Sequence, residues 1–248
     1  METPIWVALI SAVVALASAA FTFWGQLKLK RLSSEIDALQ ERQREQKDAS
    51  KVARRYYEPL LRSAYDLQSR LYNLLKTDFI GRYLLEGSLR RQQYALNNTV
   101  FLMVQYFAWA EIIRNAIQFV DLGDDEQTRR LGRLQSKIFE LFTTNEFEPL
   151  FQVFAGEQRA LGERMIKQGD SGPECIGYGA FLEQSKGEGG FHPVAAYIIE
   201  DLKILRHQPL GARRRLTAVQ NALIDLLDFL DPQFIRFDQA TRSKVQAA

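Results

Sequence analysis

PIWVALISAVVALASAAFTFW, residues 4–24, is a run of 21 residues without a single charge. As a helix rising about 1.5 Å per residue it would span roughly 30 Å, the thickness of a bilayer's hydrocarbon layer. Trp6 stands near one end and Phe21, Phe23 and Trp24 at the other, where aromatic rings favour the membrane interface. Residues 1–25 therefore read as a transmembrane anchor. The competing reading is a cleaved signal peptide with Ala17-Ser18-Ala19 as its small-residue site. Against it, Met1-Glu2-Thr3 supplies no Lys or Arg, and the run is longer than a usual signal core. Lys28, Lys30 and Arg31 follow the run and no basic side chain precedes it. The expected location is a cell membrane crossed once, with the N-terminus outside and the C-terminal domain cytoplasmic.

Outward from the run, residues 26–55 change character. Between Trp24 and Tyr56 there is no aromatic residue or proline, and no glycine after Gly25; Gln, Glu, Lys and Arg dominate. This is the composition of a solvated helical stalk. Leu29, Leu32, Ile36 and Leu39 alternate spacings of three and four, the a/d pattern of a coiled coil. Continued backwards, that register lands on Gly25, Thr22, Ser18, Ala15, Ser11 and Ala8, all of them small. Small faces let membrane helices approach closely, and leucine faces bring helices together in water. A self-association seam of Ala8, Ser11, Ala15, Ser18, Leu29, Leu32, Ile36 and Leu39 is expected, and with it a homo-oligomer. Continued forwards, the register is weak at Gln43, Gln46, Ser50 and Ala53, then resumes at Tyr57, Leu60, Ala64, Leu67, Leu71 and Leu74.

Residues 56–232 carry helical patterning throughout, so the fold class is all-α: a single transmembrane helix, a helical or coiled-coil stalk, then a multi-helix bundle. Pro59 suits the first turn of a new helix or kinks the stalk helix, which runs to Lys76. A short helix follows over 78–85, then a long one over 89–122 whose apolar stretch VFLMVQYFAWAEIIRNAIQFV, residues 100–120, reads as a central core helix. Gln105, Glu111, Arg114 and Gln118 argue against a second span. Further helices are expected from Asp124 or Asp125 to Phe142, and over 147–168, 174–186, 193–206 and 209–230. No alternating strand is evident. Residues 233–248 read as a flexible tail.

Bulk composition narrows the function. The net charge is +2, from 32 basic and 30 acidic residues, which gives no general attraction for nucleic acid. The lone Cys175 permits no intrachain disulfide, agrees with a reducing compartment and reads as a small core residue. His192 and His207 belong to no Glu-x-x-His pair, and no Cys/His cluster has zinc spacing, so no metal and no cofactor is expected. Asp225, Asp228 and Asp231 read as a solvated face and a helix end. Gly177-Tyr178-Gly179 lacks the strand and the Lys-Ser of a phosphate loop and reads as helix packing or a helix start.

Three sets of charged residues remain. Asp66 and Arg70 are spaced for an i,i+4 pair, and with Glu111, Arg114, Glu157 and Arg159 they interrupt apolar helices. Facing inward, they form either a structural polar network or a pocket between helices, since an unpaired buried charge is very costly. Arg213-Arg214-Arg215 is the densest basic cluster, either a solvated face or a contact for lipid or nucleic-acid phosphate.

Several motifs resemble a family of uncharacterised helical proteins of bacteria and plants. They are Arg55-Tyr56-Tyr57-Glu58-Pro59-Leu60-Leu61, Asp66-Leu67-Gln68-Ser69-Arg70, Gln105-Tyr106-Phe107-Ala108-Trp109-Ala110-Glu111, Phe154-Ala155-Gly156-Glu157-Gln158-Arg159-Ala160, Cys175-Ile176-Gly177-Tyr178 and Leu227-Asp228-Phe229-Leu230-Asp231. The resemblance covers about residues 54–232. It implies a shared helical domain and carries over no catalytic residue. The expected role is a membrane-tethered interaction or scaffolding module, more a binding protein than an enzyme. Its partners are the lipid bilayer, a second copy and a protein that the sequence does not identify. The alternatives are a helical enzyme or small-ligand sensor with a polar pocket, and a phosphate-contacting protein.

Overall fold

A computed structural model describes the backbone of residues 3–117, 125–170, 172–187, 191–205 and 213–246. The side chains of residues 3–15, 17, 19, 20, 27, 34, 38, 42, 43, 45–54, 116, 117 and 125 lie outside the described residues. The elements are α1 (Thr3–Lys76), a π-helical turn (Ile80–Leu85), α2 (Leu89–Ile117), α3 (Asp125–Thr143), α4 (Ala155–Met165), the strands β1 (Ile166–Gly169) and β2 (Gly172–Cys175), α5 (Tyr178–Gln184), α6 (Pro193–Leu205) and α7 (Arg214–Leu230). A short 3-10 turn, Gln239–Thr241, comes last. The chain divides into two compact units, residues 1–50 and 51–248.

In the first unit, residues 3–50 are helical. Its described stripe residues Leu29, Leu32, Ile36 and Leu39 are exposed, as are Ser18 and Trp24. Of the expected seam, the side chains of Ala8, Ser11 and Ala15 lie outside the described residues. Among the described residues no helix is long and apolar enough to cross a membrane. Most side chains of the 4–24 run are not among them.

In the second unit the register continues as core. Leu60, Ala64, Leu67, Leu71 and Leu74 are all buried. Pro59 starts no new helix; it lies inside α1, where its ring removes one backbone donor. The central position expected for the 100–120 stretch holds over the described part of α2. Val100, Met103, Val104, Tyr106, Phe107, Ala108, Ile112 and Ile113 are buried, and α2 packs on α4, α5, α6 and β2. Trp109 is only half-buried against this core. Gly162 of α4 lies where an added Cβ would fall 2.9 Å from the Phe107 carbonyl oxygen, so α2 and α4 meet backbone to backbone. Gly162→Ala should therefore destabilise the domain by about 1–3 kcal/mol, read by thermal denaturation, because helix backbone cannot step aside as a side-chain tip can.

The structure corrects three sequence expectations. The helix expected over 147–168 is broken at both ends, leaving only Ala155–Met165 helical. Before it, Phe151 adopts φ 58°, and its N–H donates to the Asp201 carboxylate at 2.8 Å instead of continuing a helix. After it, Ile166–Gly169 pairs antiparallel with Gly172–Cys175, so a two-stranded ribbon exists where no strand was expected. Its strands have four residues each and no apolar alternation; pairing across a tight turn, with Gly172 at φ +120°, holds them. Finally, residues 233–246, read as a flexible tail, pack on the domain. Val245 is buried and bonds both Gln220 and Asn221, and the Phe237 ring stacks on Tyr65 at 3.7 Å.

Candidate functional site

Six charged residues could have formed one pocket, and the structure separates them. Arg70 does not pair with Asp66. Its guanidinium donates to Thr99 Oγ1 at 3.1 Å and Asn98 Oδ1 at 2.6 Å, with the Phe79 ring 4.6 Å away. Glu157 caps α4 by accepting the Phe154 N–H at 2.8 Å. The buried polar residue of that helix is its neighbour Gln158, whose amide donates to Phe139 O, Thr143 Oγ1 and Val153 O. Polar residues in a helical pattern do not reveal which one turns inward; Gln158 was missed for that reason.

Glu111, Arg114 and Arg159 do come together, at a cleft of about 320 Å³ between α2, α3 and α4. Glu111 is buried and accepts from Arg114 Nε at 2.8 Å, from Arg114 Nη2 and from Asn115 Nδ2 at 3.2 Å. The Arg114 hydrogen bonds hold the Glu111 carboxyl below its ordinary value, against the opposing effect of burial. That pair is satisfied within itself. Two other wall residues are not. Neither the buried Tyr106 hydroxyl nor the buried Gln135 Nε2 has a hydrogen-bond partner. Burial pushes the Tyr106 phenol far above its ordinary range, so it stays a neutral O–H. An unpaired buried polar group of this kind costs about 1–3 kcal/mol. Ala110 and Phe139 supply apolar wall, and Ser136 and Glu140 are exposed residues of its α3 side.

Gly132 belongs to the same wall. It sits inside α3, and a Cβ built on it would meet nothing within 4 Å. No close approach requires this glycine, and a mid-helix glycine costs about 1 kcal/mol relative to alanine. Gly132→Ala should raise stability by roughly 0.5–1 kcal/mol in denaturant titration, the opposite sign to Gly162→Ala. Glu111, Arg114 and Arg159 pointed here from the sequence; the isolated glycine within an amphipathic helix was a further signal that went unread.

The basic cluster is divided. Arg215 is wholly buried and binds only backbone carbonyls, those of Leu141, Phe142, Thr144, Glu148 and Leu150. It is no phosphate contact, because a guanidinium saturated by five carbonyls has no donor left for solvent. Arg213 and Arg214 border a second cavity of about 430 Å³ together with Lys76. The three aspartates of α7 are engaged as well: Asp225 with Lys137 and Lys244, Asp228 and Asp231 with Arg242. Cys175 packs against the core, where burial pushes its thiol up to about 12. Among the described residues no group of His, Cys, Asp or Glu is placed to hold a metal ion.

Fold and site define a predominantly helical domain with a largely apolar cleft between α2, α3 and α4. No family model, curated protein or solved structure matches the chain.

Proposed function

We propose that this protein is a membrane-tethered helical interaction module that self-associates through its stalk and carries out no catalysis. Leu29, Leu32, Ile36 and Leu39 carry this reading. They are between 45% and 68% exposed along one stripe, whereas the same register beyond residue 57 is core. A second copy in parallel would bury that stripe, and two strong heptads alone are marginal in water. The uncharged 4–24 run supports the anchor, and its small register positions support contact continuing into the bilayer. Lys28, Lys30 and Arg31 support a cytoplasmic domain. The engagement of Glu111, Arg215, Asp231 and Arg242 supports structural rather than chemical roles for most charges. Kinship with the helical family of bacteria and plants belongs to the same proposal and adds no residue to it.

The test is disulfide cross-linking in native membranes. In a Cys175→Ala background, single cysteines at Leu32 or Ile36 should give a dimer band. Adding Ala15→Leu should weaken it by blocking close approach, and Ala17→Leu, off the register, should not. No dimer in the parent, or the same dimer in all variants, would refute the seam. A chain released by alkaline carbonate would refute the anchor.

A further inference from the structure

We propose that the cleft between α2, α3 and α4 binds a small molecule with an apolar body and a single carboxylate, its head met by Tyr106, Gln135 and Arg159.

Size and lining set the class. About 320 Å³ falls within the range of small-molecule sites, which are apolar with a few fixed polar groups. Ala110, Phe139 and the bare Gly132 form the apolar surface. The unsatisfied atoms set the head group. Tyr106 Oη and Gln135 Nε2 are both able to donate, both buried and both without a partner. Arg159, exposed on α4, lines the same cleft with no carboxylate within ion-pair distance among the described residues, although its charge acts on Glu111. Two buried unpaired donors call for an acceptor, and the exposed Arg159 guanidinium lining the same cleft favours a charged one.

The acids of the wall do not reverse this. Glu111 is bound to Arg114 and Asn115. Glu140 is exposed and keeps its hydration. Gly132 supplies an independent observation. Open space at its Cβ means that alanine would fit without collision, yet the helix keeps a residue that weakens it. What the glycine preserves is the volume of the cleft.

The experiment is calorimetric titration of the full chain in lipid nanodiscs with 2-naphthoate, with empty discs subtracted. A dissociation constant on the order of 10–100 µM is expected, from the affinity that a ligand of about a dozen atoms commonly reaches. The alcohol 2-naphthylmethanol and the ammonium 2-naphthylmethylamine should bind at least about tenfold more weakly. Gly132→Leu should lose at least about tenfold in affinity without a lower melting temperature, because its side chain occupies the cleft. Should leucine not be accommodated, Gly132→Ala moves affinity in the same direction. Tyr106→Phe, which keeps shape and loses the donor, should weaken 2-naphthoate about three- to tenfold. Arg159→Gln should abolish the preference for carboxylate over alcohol. No heat above empty discs, unchanged affinity in both Gly132 variants, or a preference for the ammonium would each overturn the proposal. None of these results depends on whether the stalk dimerises.

Discussion

Replacing Arg215 with methionine should cost the 51–248 unit about 3–5 kcal/mol, because several buried carbonyls lose a donor at about 1–3 kcal/mol each. Typical domains hold only about 5–15 kcal/mol in total, so the variant should stand near the edge of folding. The physical reason is the loop between α3 and α4. Residues 144–154 make no regular ladder, and their carbonyls need donors. Arg215 reaches the carbonyls of Leu141 at 2.7 Å, Phe142 at 2.9 Å, Thr144 at 2.9 Å, Glu148 at 3.1 Å and Leu150 at 3.1 Å. Asp201 holds the same loop from the other side through the Phe151 N–H. Methionine keeps most of the volume and takes this donor from the Leu141, Glu148 and Leu150 carbonyls, while Phe142 keeps the Val153 N–H and Thr144 keeps Gln152 Nε2. Lysine should not rescue, since an ammonium lacks the planar fork that serves several directions at once. Arg214→Met, one residue earlier and exposed, should change stability by no more than about 0.5 kcal/mol. Urea denaturation of both variants checks this; equal effects would mean that the network is not what holds the loop.

Asp231→Ala is expected to cost up to about 3–5 kcal/mol as well, by removing the buried carboxylate from the Arg242 guanidinium and leaving it only the half-exposed Asp228 at 3.4 Å. Both residues are buried, and Arg242 also donates to the carbonyls of Leu227, Asp231 and Phe237. Asp231 in turn accepts the N–H groups of Ile235, Arg236 and Phe237, so one carboxylate turns the chain after α7 and ties it down. The effect should depend on pH in a definite sense. Burial alone would raise the Asp231 carboxyl, but three backbone N–H donors and Arg242 outweigh it and hold the group below its ordinary 3.8. A depressed carboxyl contributes stability that is fully present above the unfolded value near pH 4 and is lost as pH falls through the folded one. Stability of the parent should therefore fall more steeply below about pH 4 than that of Asp231→Ala, with the two curves converging in acid. Parallel curves would show that Asp231 does not titrate with folding.

Helical periodicity is a local property, and so it was legible. The register fixed by Leu29, Leu32, Ile36 and Leu39 also identified Leu60, Ala64, Leu67, Leu71 and Leu74 as a buried face, because apolar spacing of three and four places residues on one side of any helix. The same patterning placed the ends of α1 at Lys76 and α6 near Leu205, and it marked α2 as central. Spacing alone did not settle the pairs: Asp66 and Arg70, read as an i,i+4 pair, stay apart, whereas Glu111 and Arg114, three apart, do pair.

Tertiary structure decided whatever depended on a distant partner. Arg213, Arg214 and Arg215 are chemically identical in sequence, and only the path of the 144–154 loop determines that Arg215 turns inward. Asp231 gave no sign of burial, since the residue that neutralises it, Arg242, lies in a segment whose composition resembled a tail. The β1–β2 ribbon draws its stability from pairing across the turn rather than from alternation, so periodicity was blind to it. The cleft is the extreme case. Tyr106, Gly132 and Arg159 stand on three separate helices, and no local pattern specifies that their packing leaves space and two unsatisfied donors between them.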